Sequence, residues 1–234
     1  MKMQLYNGDC LKVLKEIPDN SVDLVVTDPP YGENIGKMSY TNSGHKIDGG
    51  VAKRTDYTKI SNEWDNERPS KEIISEIFRV SKNQIIFGGN FLSDLLPISR
   101  GWYVWDKRTA DKYSNDFADC ELVWTSFDIP MRVIRYLWYG MLQEDMKHKE
   151  KRVHPTQKPL KIIQEIIQDF SKENDTILDP FLGSGTTMLA SLELGRSCIG
   201  IEREPKYIDI TKKRLNWGNS LNPDIEWEFK EDNI

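Results

Sequence analysis

The chain is poor in the residues that announce a staple, a metal or a membrane. Its 234 residues include only three cysteines, Cys10, Cys120 and Cys198, and three histidines, His45, His148 and His154. The cysteines are scattered and odd in number and form no Cys-x-x-Cys pair, so neither a disulfide framework nor a zinc site is expected. That usage fits free thiols in a reducing cytoplasm. The histidines form no His-x-x-x-His or Glu-x-x-His spacing, and no metal is expected. No run of about 18 apolar residues exists, so no membrane span is expected. The opening Met1-Lys2-Met3-Gln4 lacks the apolar core of a signal peptide. No Gly-Lys-Ser/Thr follows a glycine turn, which argues against a P-loop kinase or ATPase. Positive charge is also short: 32 basic residues stand against 37 acidic ones, a net charge of −5. That balance argues weakly against a nucleic-acid partner, whose phosphates usually demand a basic surface.

What is present reads as one globular α/β domain over residues 1–234, long enough to bury a core without staples. The charge is uneven. The tail after Pro223 holds Asp224, Glu226, Glu228, Glu231 and Asp232 against Lys230. The stretch from Met131 to Lys158 holds Arg132, Arg135, Lys147, Lys149, Lys151, Arg152 and Lys158 against Glu144, Asp145 and Glu150. An acidic total can therefore hide a basic face. Residues 129–153 lack a confident period and read as a small insert rich in Tyr136, Trp138 and Tyr139. Base interleaved with aromatics suits phosphate pairing and base stacking. It suits a buried hairpin equally well.

Elsewhere strands alternate with short helices, the pattern of a largely parallel sheet with helices on both faces. Strands are expected at Met3–Tyr6, Val22–Thr27, Gln84–Phe87, Trp102–Trp105, Glu121–Thr125, Thr176–Leu178 and Ser197–Ile201. Apolar residues at helical spacing lie at Leu11–Ile17, from Pro69 through Phe78, from Pro159 through Phe170, from Thr187 to Leu194, and from Pro205 to Trp217. A short helix is read at Phe91–Leu96. Residues 32–63 are polar, glycine-rich and aperiodic, and read as a flexible flap.

Two turns carry chemistry. Asp28-Pro29-Pro30-Tyr31 ends the strand Val22–Thr27. Neither proline can continue a ladder, so Asp28 and Tyr31 project from a stiff turn at the carboxyl end of a strand, where open α/β sheets bind ligands. Asp179-Pro180-Phe181-Leu182-Gly183-Ser184-Gly185-Thr186-Thr187 runs from a strand through a glycine turn into a helix. The third glycine of a dinucleotide fingerprint is replaced by Met188. Glu202 ends the next strand about 20 residues on, as a ribose-binding acid does. A nucleoside ligand therefore fits without a diphosphate. The charge of Asp179 suits a cationic amine or a sulfonium, pointing to S-adenosylmethionine over NAD. Asp9, Asp28, Asp179 and Glu202 each end an apparent strand, and a parallel sheet would gather all four along one edge.

With these motifs the sequence resembles the DNA amino-methyltransferases, which methylate N6 of adenine or N4 of cytosine. Their catalytic motif looks like Asp28-Pro29-Pro30-Tyr31, and their cofactor motif looks like Asp179 to Thr186. The catalytic motif comes first here, which is similar to the family's β group, a permuted order with a recognition segment between the motifs. The resemblance implies a Rossmann-like S-adenosylmethionine-dependent fold. It implies cofactor contacts from Asp9, Cys10, Asp28, Lys158, Asp179, Pro180, Phe181, Gly183, Ser184, Gly185, Thr186, Glu202 and Arg203. His154-Pro155-Thr156-Gln157-Lys158-Pro159 resembles the segment that holds the methionine end, and Trp105-Asp106-Lys107 resembles a segment near the target base. Lys107, Arg132, Arg135, Lys149 and Arg152 are the expected DNA contacts, with 129–153 as the recognition insert. That insert is short for a restriction-linked enzyme, and a homodimer is a further expectation.

The implied activity is methyl transfer to the exocyclic N6 of adenine in double-stranded DNA, the target base leaving its stack. N4 of cytosine is the alternative. Asp28 and the Pro29 carbonyl would each accept an N–H of the amine and free the nitrogen lone pair, and Tyr31 would stack on the base. A C5-cytosine enzyme needs a cysteine after a proline, and none of the three follows one. A further alternative is a related enzyme that methylates a protein glutamine or an RNA amine, though the glutamine enzymes usually carry asparagine in place of Asp28. An inactive DNA-binding relative is disfavoured by the intact motifs.

Overall fold

The computed structural model describes residues 1–32, 67–108, 118–139, 142–154, 156–219 and 223–231. The expected flap, Gly32 apart, lies outside them, as do His45 and Pro155.

Eleven strands and five α-helices are found among these residues. The strands are β1 (Lys2–Asn7), β2 (Val22–Thr27), β3 (Ser81–Phe87), β4 (Trp102–Asp106), β5 (Cys120–Thr125), β6 (Arg132–Arg135), β7 (Trp138–Tyr139), β8 (Leu142–Gln143), β9 (Thr176–Asp179), β10 (Ser197–Glu202) and β11 (Glu226–Glu231). The helices are α1 (Cys10–Glu16), α2 (Lys71–Val80), α3 (Leu160–Phe170), α4 (Thr186–Glu193) and α5 (Pro205–Arg214). Nine strands form one sheet in the order β11-β1-β10-β9-β2-β3-β5-β4-β6, and β7 pairs with β8 in a separate hairpin. All pairings in the large sheet are parallel except those of β5, which runs antiparallel to β3 and β4.

Helix boundaries follow local chemistry. Asp9 caps α1 by accepting from the Lys12 amide, and Ser70 caps α2 by accepting from Ile73. Pro205 occupies the first turn of α5, where its missing N–H has no helical partner to lose. The stripe Ile162, Ile163, Ile166 and Ile167 of α3 is fully buried. Each of those side chains contributes about 2 kcal/mol by leaving water. With Met188 and Ala190 of α4 and Ile208 of α5 they pack against Leu24, Val26, Ile85 and Phe87 on one sheet face. Val13 and Leu14 of α1 and Ile74, Ile77 and Val80 of α2 pack against Val22, Val25, Leu178 and Ile201 on the other. Helices therefore cover both faces, as the alternation of elements implies.

Four expectations change. The acidic tail is an edge strand: in β11 Trp227 and Phe229 face the core cluster, while Lys2 stands 3.3 and 2.7 Å from Glu226 and Glu228. Alternation in Glu226-Trp227-Glu228-Phe229 was masked by its charge. The supposed insert starts as the opposite edge, with Arg132–Arg135 paired to β4 in register Tyr103↔Arg132. Among the described strands, only β7 and β8 stand apart from the main sheet. Phe91–Leu96 is not an α-helix; a 3-10 turn covers Gly89–Leu92 instead. β5 is antiparallel, a direction that no periodicity encodes.

Candidate active site

Parallel pairing brings the carboxyl ends of β1, β2, β3, β9 and β10 to one edge. A cavity of about 480 Å³ opens there, within the size range of small-molecule sites. It is lined by residues from both motifs, including Asp9, Cys10, Asp28, Pro30, Lys158, Asp179, Gly183, Ser184, Glu202 and Arg203. The four strand-ending acids thus meet in one crevice. Pro180, Phe181 and Thr186 line it as well. Pro29, Tyr31 and Gly185 do not.

The two halves of the crevice are tied directly: Thr27, the last residue of β2, donates its hydroxyl to Asp179 Oδ1 at 2.7 Å. Asp179 also receives the Phe181 amide at 3.1 Å. Burial pushes its carboxyl up to about 6 against these donors. Glu202 accepts the Gly183 amide at 2.7 Å and the Glu204 amide at 2.7 Å. Its removal from water, with Glu204 and Asp179 nearby, raises it to about 7. Cys10 is driven by burial up to about 12, so it offers no thiolate. Gly183 has φ +54°, and a Cβ built on it would meet nothing within 4 Å. It is one of the residues that line the cavity. An open backbone turn, a cluster of carboxylates and an adjoining cleft accept a cationic nucleoside such as S-adenosylmethionine, and the residues fit that group.

At the other half, Asp28 is 23% accessible at the cleft floor. Its Oδ1 receives the Tyr31 hydroxyl at 2.5 Å, and its Oδ2 receives the Lys158 ammonium. Desolvation raises the Asp28 carboxyl above its ordinary value, opposed by Lys158 and the Tyr31 hydrogen bond. Tyr31 stacks on Phe91 with ring centroids 4.7 Å apart, so one ring face is already covered. It packs against Gly88, where a Cβ would come within 2.1 Å of the ring. Arg68 donates to the Phe91 carbonyl at 2.8 Å and pairs with Asp94, bracing that aromatic.

The main residue missed from sequence is Glu121, at the start of β5. It stands 3.3 Å from Lys158 and 3.1 Å from Lys107. Only the antiparallel direction of β5 puts its start, and not its end, on the side of the sheet where Lys158 lies, so spacing alone gave no signal. Burial opposes its charge, yet the two lysines hold its carboxyl below the ordinary value. Lys158 also resists burial and stays above its ordinary value between Asp28 and Glu121.

The expected DNA contacts divide. Lys107 is 14% accessible and pairs with Glu121 at 3.1 Å. Arg132 and Arg135 are exposed on the outer edge of β6, and Lys149 and Arg152 are exposed beyond β8. Arg152 lies over the Trp138 ring at 5.4 Å. Glu150, counted above as opposing charge, instead accepts from Arg214, Gln157 and the Leu160 amide. Arg214 in turn donates to the Ser184 carbonyl and the Thr186 hydroxyl, which binds this segment to the glycine turn.

A mostly parallel α/β sheet with a nucleoside-sized crevice at its carboxyl edge, two acids at the glycine turn and a Pro-Pro turn beside them defines a Rossmann-like methyltransferase. Comparison with known proteins gives the family. A family model described as DNA methylase, covering the N6 and N4 methyltransferases, matches residues 102–213. The type II methyltransferase M2.LlaDCHI of Lactococcus lactis subsp. cremoris is 32% identical, over 92% of this chain and 89% of its own. Type II methyltransferase M.HinfI of Haemophilus influenzae is 30% identical, over 90% of this chain and 67% of its own. Among solved structures, M1.HpyAVI in complex with S-adenosylmethionine matches with a TM-score of 0.55 at 24% identity, covering 92% of this chain and all of its own. The chain belongs to the N6/N4 DNA methylases, and its cofactor is S-adenosylmethionine. No cluster of three or more His, Cys, Asp or Glu able to hold a metal is found among the described residues, and none of their helices is long and apolar enough to cross a membrane.

Proposed function

We propose that this DNA methyltransferase transfers a methyl group to the exocyclic N6 of adenine, with Asp28 as the group that receives the amine. The observation that carries the reading is the placement of Asp28 in the same cavity as Asp179, Gly183 and Glu202. S-adenosylmethionine supplies an electrophilic methyl on a sulfonium. Glu202 holds the ribose hydroxyls, Asp179 faces the positively charged end and Gly183 admits close backbone approach. An exocyclic amine is a poor nucleophile because its lone pair is delocalised. The Asp28 carboxylate and the Pro29 carbonyl accept hydrogen bonds from its two N–H groups and favour a pyramidal nitrogen. Positioning then supplies much of the rate. In the resembled family, Asp at the first motif position leans toward adenine and Ser toward cytosine, which supports N6 here. Tyr31, stacked on Phe91, offers its other surfaces to a base that has left the duplex. The exposed Arg132, Arg135, Lys149 and Arg152 meet phosphates, and the residue 129–153 region contributes to recognition.

Mass spectrometry of nucleosides from DNA treated with the protein and labelled cofactor tests this directly. Labelled N6-methyladenine is expected. Labelled N4-methylcytosine would keep the mechanism and overturn the base, and label in neither would overturn both.

The Glu202 assignment has a pH signature. A carboxylate accepts ribose hydroxyls and a protonated carboxyl does not, so binding requires the proton to leave. With the free group at about 7, cofactor affinity is expected to fall roughly tenfold per pH unit below that point. Titration calorimetry across pH 5 to 8 checks it. Glu202→Gln is expected to bind weakly with a flat profile, and a retained slope would assign the titration elsewhere.

A further inference from the structure

Both Asp28 oxygens are engaged: Tyr31 donates to Oδ1 and Lys158 to Oδ2. An ammonium on that carboxylate competes with an incoming amine. It also opposes the positive charge that grows on the nitrogen as the methyl arrives. Lys158 cannot simply withdraw, because its side chain is 9% accessible and an unpaired buried ammonium is strongly disfavoured. One other carboxylate is within reach. Glu121 gives Oε1 to Lys107 at 3.1 Å. Its Oε2 is buried, has no hydrogen-bond donor and stands 3.3 Å from the Lys158 nitrogen. The lysine therefore sits between one carboxylate oxygen that it hydrogen-bonds and a second, 3.3 Å away, with which it makes an ion pair but no hydrogen bond. Phe87 and Tyr31 flank its ammonium at 5.5 and 5.9 Å, aromatic faces that tolerate a small displacement of positive charge.

We propose that Glu121 is a positioning residue that takes over the Lys158 ammonium when the target amine docks, releasing Asp28 Oδ2 for the substrate. The lysine keeps its proton throughout, and Lys107 stays on Oε1, so the buried charge is unchanged by the exchange. Glu121 never touches the substrate; it acts through Lys158. The inference rests on the reading of Asp28 as the acceptor of the amine.

The test is single-turnover methyl transfer to mixed-sequence genomic DNA with labelled cofactor, alongside cofactor affinity by calorimetry. The variants are Glu121→Gln, Lys158→Met, both together, and Asp28→Asn. Glu121→Gln is expected to slow transfer about tenfold or more, the scale of one lost charge-assisted hydrogen bond, while cofactor affinity stays within about twofold. With Lys158 already replaced by Met there is no ammonium to move, so adding Glu121→Gln is expected to cost nothing further. Equal losses in both backgrounds would show a merely structural role and overturn the proposal, as would a parallel loss of cofactor affinity. Complete loss of transfer in Lys158→Met would also overturn it, since the lysine would then be needed in the chemistry itself. Asp28→Asn separates the two levels: if it stays active, the underlying reading fails, and if it is inactive while Glu121→Gln matches wild type, only the present inference fails.

Discussion

Asp28→Ala is expected to reduce methyl transfer by about a thousandfold or more, the upper part of the range for loss of a positioned proton acceptor. Cofactor affinity is expected to stay within about threefold, because the groups assigned to the cofactor at the glycine turn do not depend on Asp28. Asp179 is held by Thr27 and the Phe181 amide, and Glu202 by the Gly183 and Glu204 amides. The variant does leave Lys158 with one carboxylate partner instead of two, and Glu121 at 3.3 Å is positioned to keep it paired. Asp28→Asn keeps the shape and removes the charge, so agreement between the two variants would assign the effect to the carboxylate. Transfer rates by label incorporation and affinities by calorimetry decide the matter. Substantial activity in both variants would mean that the amine protons go elsewhere and would withdraw the assignment.

The crevice was legible because its parts are local. A strand that ends in Asp-Pro-Pro must stop there, and a strand that ends in a glycine turn before a helix must offer bare backbone. Parallel topology then collects such ends on one edge without any further information. What could not be read depends on partners distant in sequence. The pairing of Lys107 with Glu121 exists only because β5 runs back beside β4, which no local pattern shows. Thr27 looks like the last residue of a strand until β9 places Asp179 within 2.7 Å. The edge strands were misjudged for a different reason. β6 and β11 each have a sheet neighbour on one side only, and their sequences carry the charge that blunts an edge. Charge of that kind reads as loop or tail when the apolar alternation beneath it is only two residues deep, as with Trp227 and Phe229.

The two glycines of the cofactor turn look equivalent in sequence and are expected to respond in opposite ways. Gly185 has φ +83°, and a Cβ there would lie 2.7 Å from both Cγ2 and Oγ1 of Thr211 in α5. That threonine is fully buried, so the helix has little room to retreat. Left-handed backbone and overpacking together are expected to cost Gly185→Ala about 2–4 kcal/mol. For a chain of this size that is a fall in melting temperature of roughly 5–12 °C. Gly183, at φ +54°, carries the same backbone strain but has open space where its Cβ would go. Gly183→Ala is therefore expected to lose only about 1–2 kcal/mol of stability. Because Gly183 lines the cavity and its amide bonds Glu202, the added methyl group is expected to weaken cofactor binding about thirtyfold. Melting curves and calorimetric titrations on both variants separate the cases. A Gly185→Ala protein that melts like wild type, or a Gly183→Ala protein that binds like it, would mean that the turn opens toward its ligand through a different face.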